Sequence, residues 1–173
     1  MNTSHYLQSV ISIFNQYKTT AEKAMVQLSD EELFWCANEE SNSIAIIVNH
    51  LAGNMRSRWT DFLHSDGEKS WRNRELEFEP ITTNRTDLLA NWESGWDCLF
   101  FALDQVNEDN FNTIIFIRNE PHSITEAINR QVAHYTFHIG QIVWIAKMLK
   151  NSAWVSLSIP KGGSSDFNKA KGI

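Results

Sequence analysis

Residues 123–150 read SITEAINRQVAHYTFHIGQIVWIAKMLK, and this stretch decides the fold class. Ser123, Ile124, Thr125 and Glu126 form a capping box: the serine oxygen can accept from the amide three residues on, while the glutamate reaches back to the serine amide. The box opens a helix predicted to run from Ile124 to about Lys150. His134 and His138 stand four apart in its middle. At about 100° per residue both rings leave one face, a turn apart. Two imidazoles so placed can reach one metal ion, with nitrogen–metal distances of about 2.0–2.1 Å for zinc.

The same face carries Ala127, Arg130, Gln141, Ile145 and Met148, so the pair sits in a stripe that turns apolar toward the C-terminus. A buried imidazole nitrogen without a partner costs about 1–3 kcal/mol. A metal ion satisfies both rings at once. Two core histidines held by hydrogen bonds or water are the competing reading.

Three further helices are expected before this one. The first spans about residues 6–28, where Leu7, Val10, Phe14, Tyr17, Ala21, Met25 and Leu28 recur every three or four positions. Ser29-Asp30-Glu31-Glu32 reads as a cap opening a short helical turn. The second long helix spans about 43–63 and the third about 86–106, the latter striped by Leu89, Trp92, Trp96, Leu99, Leu103 and Val106. A charged loop, 64–84, with Gly67 and Pro80, joins those two. Phe111, Thr113, Ile115 and Ile117 alternate, which predicts a short extended link, and Asn119-Glu120-Pro121 reads as its turn. The tail, 152–173, is polar with Pro160, Gly162 and Gly163, so it is expected to be non-helical. The pattern as a whole is an all-α four-helix bundle formed by residues 1–173 as one domain.

His50, midway along the second helix, is the natural third ligand. Its face carries Ser43, Ile46, Ile47, Asn54 and Ser57, a mixture suited to a partly polar cavity. The main apolar stripe (Ile44, Val48, Leu51, Met55, Phe62) is centred well round from it, so a solvated position fits equally well. His5 and His64 read as surface residues. His122, just before the capping box, is placed to overhang the site. Trp92, Trp96 and Trp59 read as core packing rather than as a ligand cage.

Composition narrows the classes of function. The chain has 173 residues, 42% hydrophobic and 21% charged, which suits one packed domain. A net charge of −6 with no basic stretch argues against nucleic acid. Runs such as Ile44–Val48 are too short to span a bilayer. MNTSHYLQSV lacks the pattern of a secretory signal. Cys36 and Cys98 stand apart without CxxC spacing, so they are expected to be small buried hydrophobes in a cytoplasmic protein.

The segments SIAIIVNHLAGN (43–54) and IRNEPHSITEAINRQVAHYTFHIGQI (117–142) resemble the DinB/YfiT-like superfamily of metal-binding four-helix bundles. The tail WVSLSIPKGGSSDFN (154–168) is similar to a bacterial branch of it. The resemblance implies that His50, His134 and His138 bind one divalent metal, zinc or nickel first, with iron or manganese as further candidates. His138-Ile139-Gly140-Gln141 adds specificity that a bare HxxxH lacks. It also implies a homodimer, and activities of the thiol-dependent S-transferase or isomerase type, with metal hydrolases as a second group.

Three neutral imidazoles leave a coordination position for water or substrate. Such an ion can hold a low-molecular-weight thiol as thiolate, or lower the pKa of bound water. Arg130, one turn before His134, can hold a carboxylate of the thiol or substrate by a bidentate fork, and a surface arginine is the competing reading. Gln141 and Asn54 can orient ligands or water. The residues between the histidines, Tyr135, Thr136 and Phe137, offer no base, so a hydrolase must draw one from a loop. A non-catalytic, stress-related metal-binding bundle is the third reading.

Overall fold

A computed structural model describes residues 3–173. Four long helices dominate: α1 (Thr3–Met25), α3 (Ile44–Trp59), α4 (Arg85–Asp104) and α5 (Ile124–Lys150). Shorter elements are α2 (Asp30–Phe34), a 3-10 turn at Glu75–Phe78, the strands β1 (Ile114–Ile117) and β2 (Glu120–Ser123), a 3-10 turn at Asn151–Ala153, and α6 (Ser164–Lys171). The chain is thus mostly helical with one small hairpin.

The starts are written in the capping residues. Ser123 Oγ accepts from the Glu126 amide at 3.2 Å, and Glu126 Oε2 accepts from the Ser123 amide at 2.7 Å. The same reciprocal pair forms between Ser29 and Glu32. Ser43 caps α3 through the Ile46 amide, and Asn84 caps α4 through the Asp87 amide. Each cap satisfies donors that the first turn leaves free.

α3 lies along α4, and α1 along α5, with α3 also touching α5 and α1 touching α4. Where α3 meets α4, a Cβ added to Gly95 would stand 2.8 Å from the Ala52 Cα. The backbones approach closely because position 95 has no side chain. Phe14, Trp92, Trp96 and Tyr135 fill the centre, with Trp96 5.3 Å from Trp92, 6.3 Å from Phe14 and 5.9 Å from Tyr135 between ring centroids. The tryptophans are core, as their spacing indicated: Trp92 and Trp96 are wholly buried and Trp59 nearly so. Truncating such an aromatic costs about 3–5 kcal/mol.

Several expectations are corrected. The tail is not devoid of helix: Ser164–Lys171 is helical, with Asp166 in its first turn, Lys169 and Lys171 in its last, and Gly172 closing it at φ 75°. No residue of α6 is buried, so it left no apolar period to read. The turn of the hairpin falls at Arg118 and Asn119, both at positive φ (57° and 61°), and Glu120 and Pro121 belong to β2. Two successive left-handed residues match the right-handed twist of a hairpin. α3 ends four residues earlier than expected, where Asp61 adopts φ 46°. Neither cysteine is buried: Cys36 is exposed and Cys98 half-buried. His5 and His64 are exposed, as expected. No helix of the described residues is long and apolar enough to cross a membrane.

Of the 16 residues of α3, 14 are buried, because the 64–84 segment covers the side that α4 and α5 leave open. His50 is therefore only 5% exposed, and the solvated reading of it fails.

Candidate metal centre

α3 supplies His50, and α5 supplies His134 and His138. Their Nε2 atoms converge: His134 lies 3.3 Å from His50 and 3.1 Å from His138. The three ligand atoms all fall within 4.8 Å of one another. Two ligands at about 2.0–2.1 Å from a tetrahedral ion stand roughly 3.3 Å apart, close to the two edges that meet at His134.

The far nitrogens fix the tautomers. His50 Nδ1–H donates to Glu77 Oε2 at 3.0 Å, and His138 Nδ1–H donates to Gln141 Oε1 at 3.0 Å. In its neutral form each ring then turns an Nε2 lone pair inward, toward His134 Nε2. One N–H from His134 can satisfy only one of them. A cation at the common point satisfies all three, and this group of histidines could hold a metal ion.

The electrostatics favour neutral rings at His134 and His138. Burial, reinforced by the charges of His138, His50, Arg58 and Arg72, pushes His134 down to about 3. Burial and His50 push His138 down as well, with Gln141 opposing them. Neutral imidazoles are the form that binds metal, so little proton competition remains at neutral pH.

Sequence reading missed Glu77. It lies in the 3-10 turn Glu75–Phe78, is buried, and accepts from Arg72 Nε at 2.7 Å and Arg72 Nη2 at 2.9 Å as well as from His50. Burial alone would raise its carboxyl, but the hydrogen bonds from His50 and Arg72 outweigh that and hold it below the usual carboxylate range. It reaches α3 because position 53 is glycine: a Cβ there would stand 2.7 Å from Glu77 Cδ. Glu77→Gln and Gly53→Ala are both expected to weaken metal binding by about 10–100-fold, the usual cost of losing an outer partner of a histidine ligand. Competition with a chromophoric chelator measures this; parental affinity in both variants would mean that Glu77 does not act through His50.

The histidines open on a cavity of about 490 Å³. Arg130, Gln141 and Asn54 all line it. Gln141 holds His138. Asn54 Oδ1 accepts from the Tyr135 hydroxyl at 3.3 Å, whose oxygen accepts in turn from Trp59 Nε1 at 3.2 Å. Arg130 is exposed. His122 is not on this wall; it sits in β2 opposite Ile115, half-buried, with the Glu120 carboxylate 4.0 Å away. The core line of α5 runs through Ile128, Tyr135, Ile142 and Ala146, so the histidine pair flanks the apolar stripe rather than forming part of it.

These features define a mostly helical protein with a partly buried three-histidine cluster able to hold a metal ion. Residues 2–163 match the family described as "Protein of unknown function (DUF1572)", and the chain belongs to that family. No curated protein matches the chain.

Proposed function

We propose that the chain is a divalent-metal-binding four-helix bundle of the DinB/YfiT-like kind that acts as a metal-dependent enzyme on a small thiol, as an S-transferase or thiol-dependent isomerase. The observation that carries this is the convergence of three imidazole nitrogens on an open cavity whose wall holds no carboxylate. Zinc or nickel suits three imidazole ligands. A bound ion of this kind supplies Lewis acidity, which keeps a coordinated thiol in its reactive thiolate form.

The protein's own groups support that division of labour. Glu77 is occupied by His50 and Arg72 on the far side of the His50 ring, so it orients a ligand and is not free to take a proton from water. Asn54 and Gln141 are amides and cannot act as bases. A thiol needs no separate base at such a site, whereas hydrolysis usually does, and the hydrolase reading therefore ranks second. Exposed Phe137, Trp144 and Met148 along α5 support pairing with a second copy.

The test is conjugation of an electrophile with small thiols, set against ester cleavage without thiol, using metal-loaded and metal-stripped protein. Turnover is expected only with thiol and metal together, and to vanish in His50→Ala. Ester cleavage without thiol would transfer the assignment to a hydrolase, and no turnover of either kind would leave a metal-binding protein without catalysis.

A further inference from the structure

The cavity wall is far more cationic than the chain. Five of the seven arginines, Arg58, Arg72, Arg74, Arg118 and Arg130, line it, with no lysine, aspartate or glutamate among the lining residues, in a chain of net charge −6. Scattered surface charge does not collect in this way.

The inner two are committed. Arg72 forks onto Glu77, and Arg58 donates to the Gly67 carbonyl and to Glu68 Oε2. The outer three keep donors free. Arg118 uses Nε on Glu68 at 2.9 Å and is more than half exposed. Arg74 lies over the Phe78 ring at 4.8 Å, with a long contact of 3.4 Å to exposed Glu75. Arg130 makes no hydrogen bond or ion pair with any described residue. Glu68 is shared among Arg58, Arg72 and Arg118, so one carboxylate answers three guanidiniums and positive charge remains in excess.

A second observation points the same way. One buried donor without a partner, Arg58 Nε, belongs to a residue of this same wall. Buried polar atoms of native proteins are almost always satisfied, so an unmet guanidinium N–H beside the cavity adds to the excess of donors there.

We infer that the cavity receives a small molecule carrying at least two oxyanion groups, carboxylate or phosphoryl, gripped by Arg74, Arg118 and Arg130 at the mouth while its other end faces the histidines. Guanidinium forks match both oxyanions bidentately, which a lysine cannot do. The inference rests on the reading of this cavity as the functional site. It does not depend on the thiol or on the ion, since the arginines are in place without either.

The experiment is calorimetric titration of the full chain, as purified and after metal removal, at fixed low ionic strength. The probes are inorganic phosphate, propane-1,2,3-tricarboxylate and the neutral trimethyl ester of the latter. Saturable binding of one or both anions is expected, with none of the ester. Arg130→Ala and Arg118→Ala should each weaken it by roughly 10-fold or more, the scale of a charge-assisted hydrogen bond. Preference for phosphate assigns a phosphoryl ligand, and preference for the tricarboxylate assigns a polycarboxylate. Absence of anion binding, or equal binding by the Arg74→Ala/Arg118→Ala/Arg130→Ala triple variant, overturns the inference. Cobalt is titrated separately by its visible spectrum. Cobalt binding without anion binding leaves the metal site and removes the arginine cradle; anion binding without cobalt does the reverse.

Discussion

His134→Ala is expected to leave a folded helical protein that no longer retains a divalent ion. The parent should carry close to one equivalent after purification, measured by elemental analysis, and each of His50→Ala, His134→Ala and His138→Ala should lose it. His134 is the hub of the three, since its Nε2 stands 3.3 Å and 3.1 Å from the other two. Losing an outer partner costs about 10–100-fold in affinity. Losing the ligand at the hub should therefore exceed 100-fold, roughly. The fold should survive, because the packing of Phe14, Trp92, Trp96 and Tyr135 does not pass through the histidines. In His50→Ala, Glu77 also keeps both of its hydrogen bonds from Arg72. Unchanged helical circular dichroism with metal lost is the expected pair of results. A variant that keeps its full equivalent, or a parent that never takes one up, would remove the metal from the account of this protein.

What the sequence made legible depends on whether a residue's role is local. The capping box at Ser123 and the three–four periodicity of α5 are local, and the predicted span Ile124–Lys150 matches the structure. The i, i+4 pair of histidines is local too, and so it could be placed on one face before any fold was known. His50 is only partly so. Its burial arises because the 64–84 segment packs over α3, and no pattern within α3 contains that information. Glu77 was hidden for the same reason: WRNRELEF reads as a solvated charged loop, yet its glutamate is buried against Gly53 and His50. The faint signal was Gly53 itself, a residue of poor helix propensity in the middle of a helix, three positions from a candidate ligand. The arginine wall shares this origin, because Arg58, Arg72, Arg118 and Arg130 come from four separate segments. Helix α6 escaped by another route, having no buried face to impose a period.

The metal-free protein should lose stability on mild acidification, and His134 should be a principal cause. Unfolded, its imidazole titrates near 6.5; folded, burial and the neighbouring positive groups push it down to about 3. Between those values the unfolded chain binds a proton that the folded chain refuses. Stability therefore rises with pH across that window: it is complete above about 6.5 and is lost progressively as pH falls toward 3. His138, also pushed down, acts in the same sense. Glu77 joins at lower pH, since a carboxyl held below its usual range stabilises only while it stays ionised. One pKa unit is about 1.4 kcal/mol, so moving from pH 7.5 to pH 5 costs at most about 2 kcal/mol through His134. For a chain of this length that is a fall of roughly 4–8 °C in melting temperature. In His134→Gln the same step in pH should cost distinctly less, because the group that refuses the proton is gone. A metal-stripped parent that melts as high at pH 5 as at pH 7.5, or a His134→Gln variant that keeps the parent's full pH dependence, would show that a charged His134 is not excluded from the folded state.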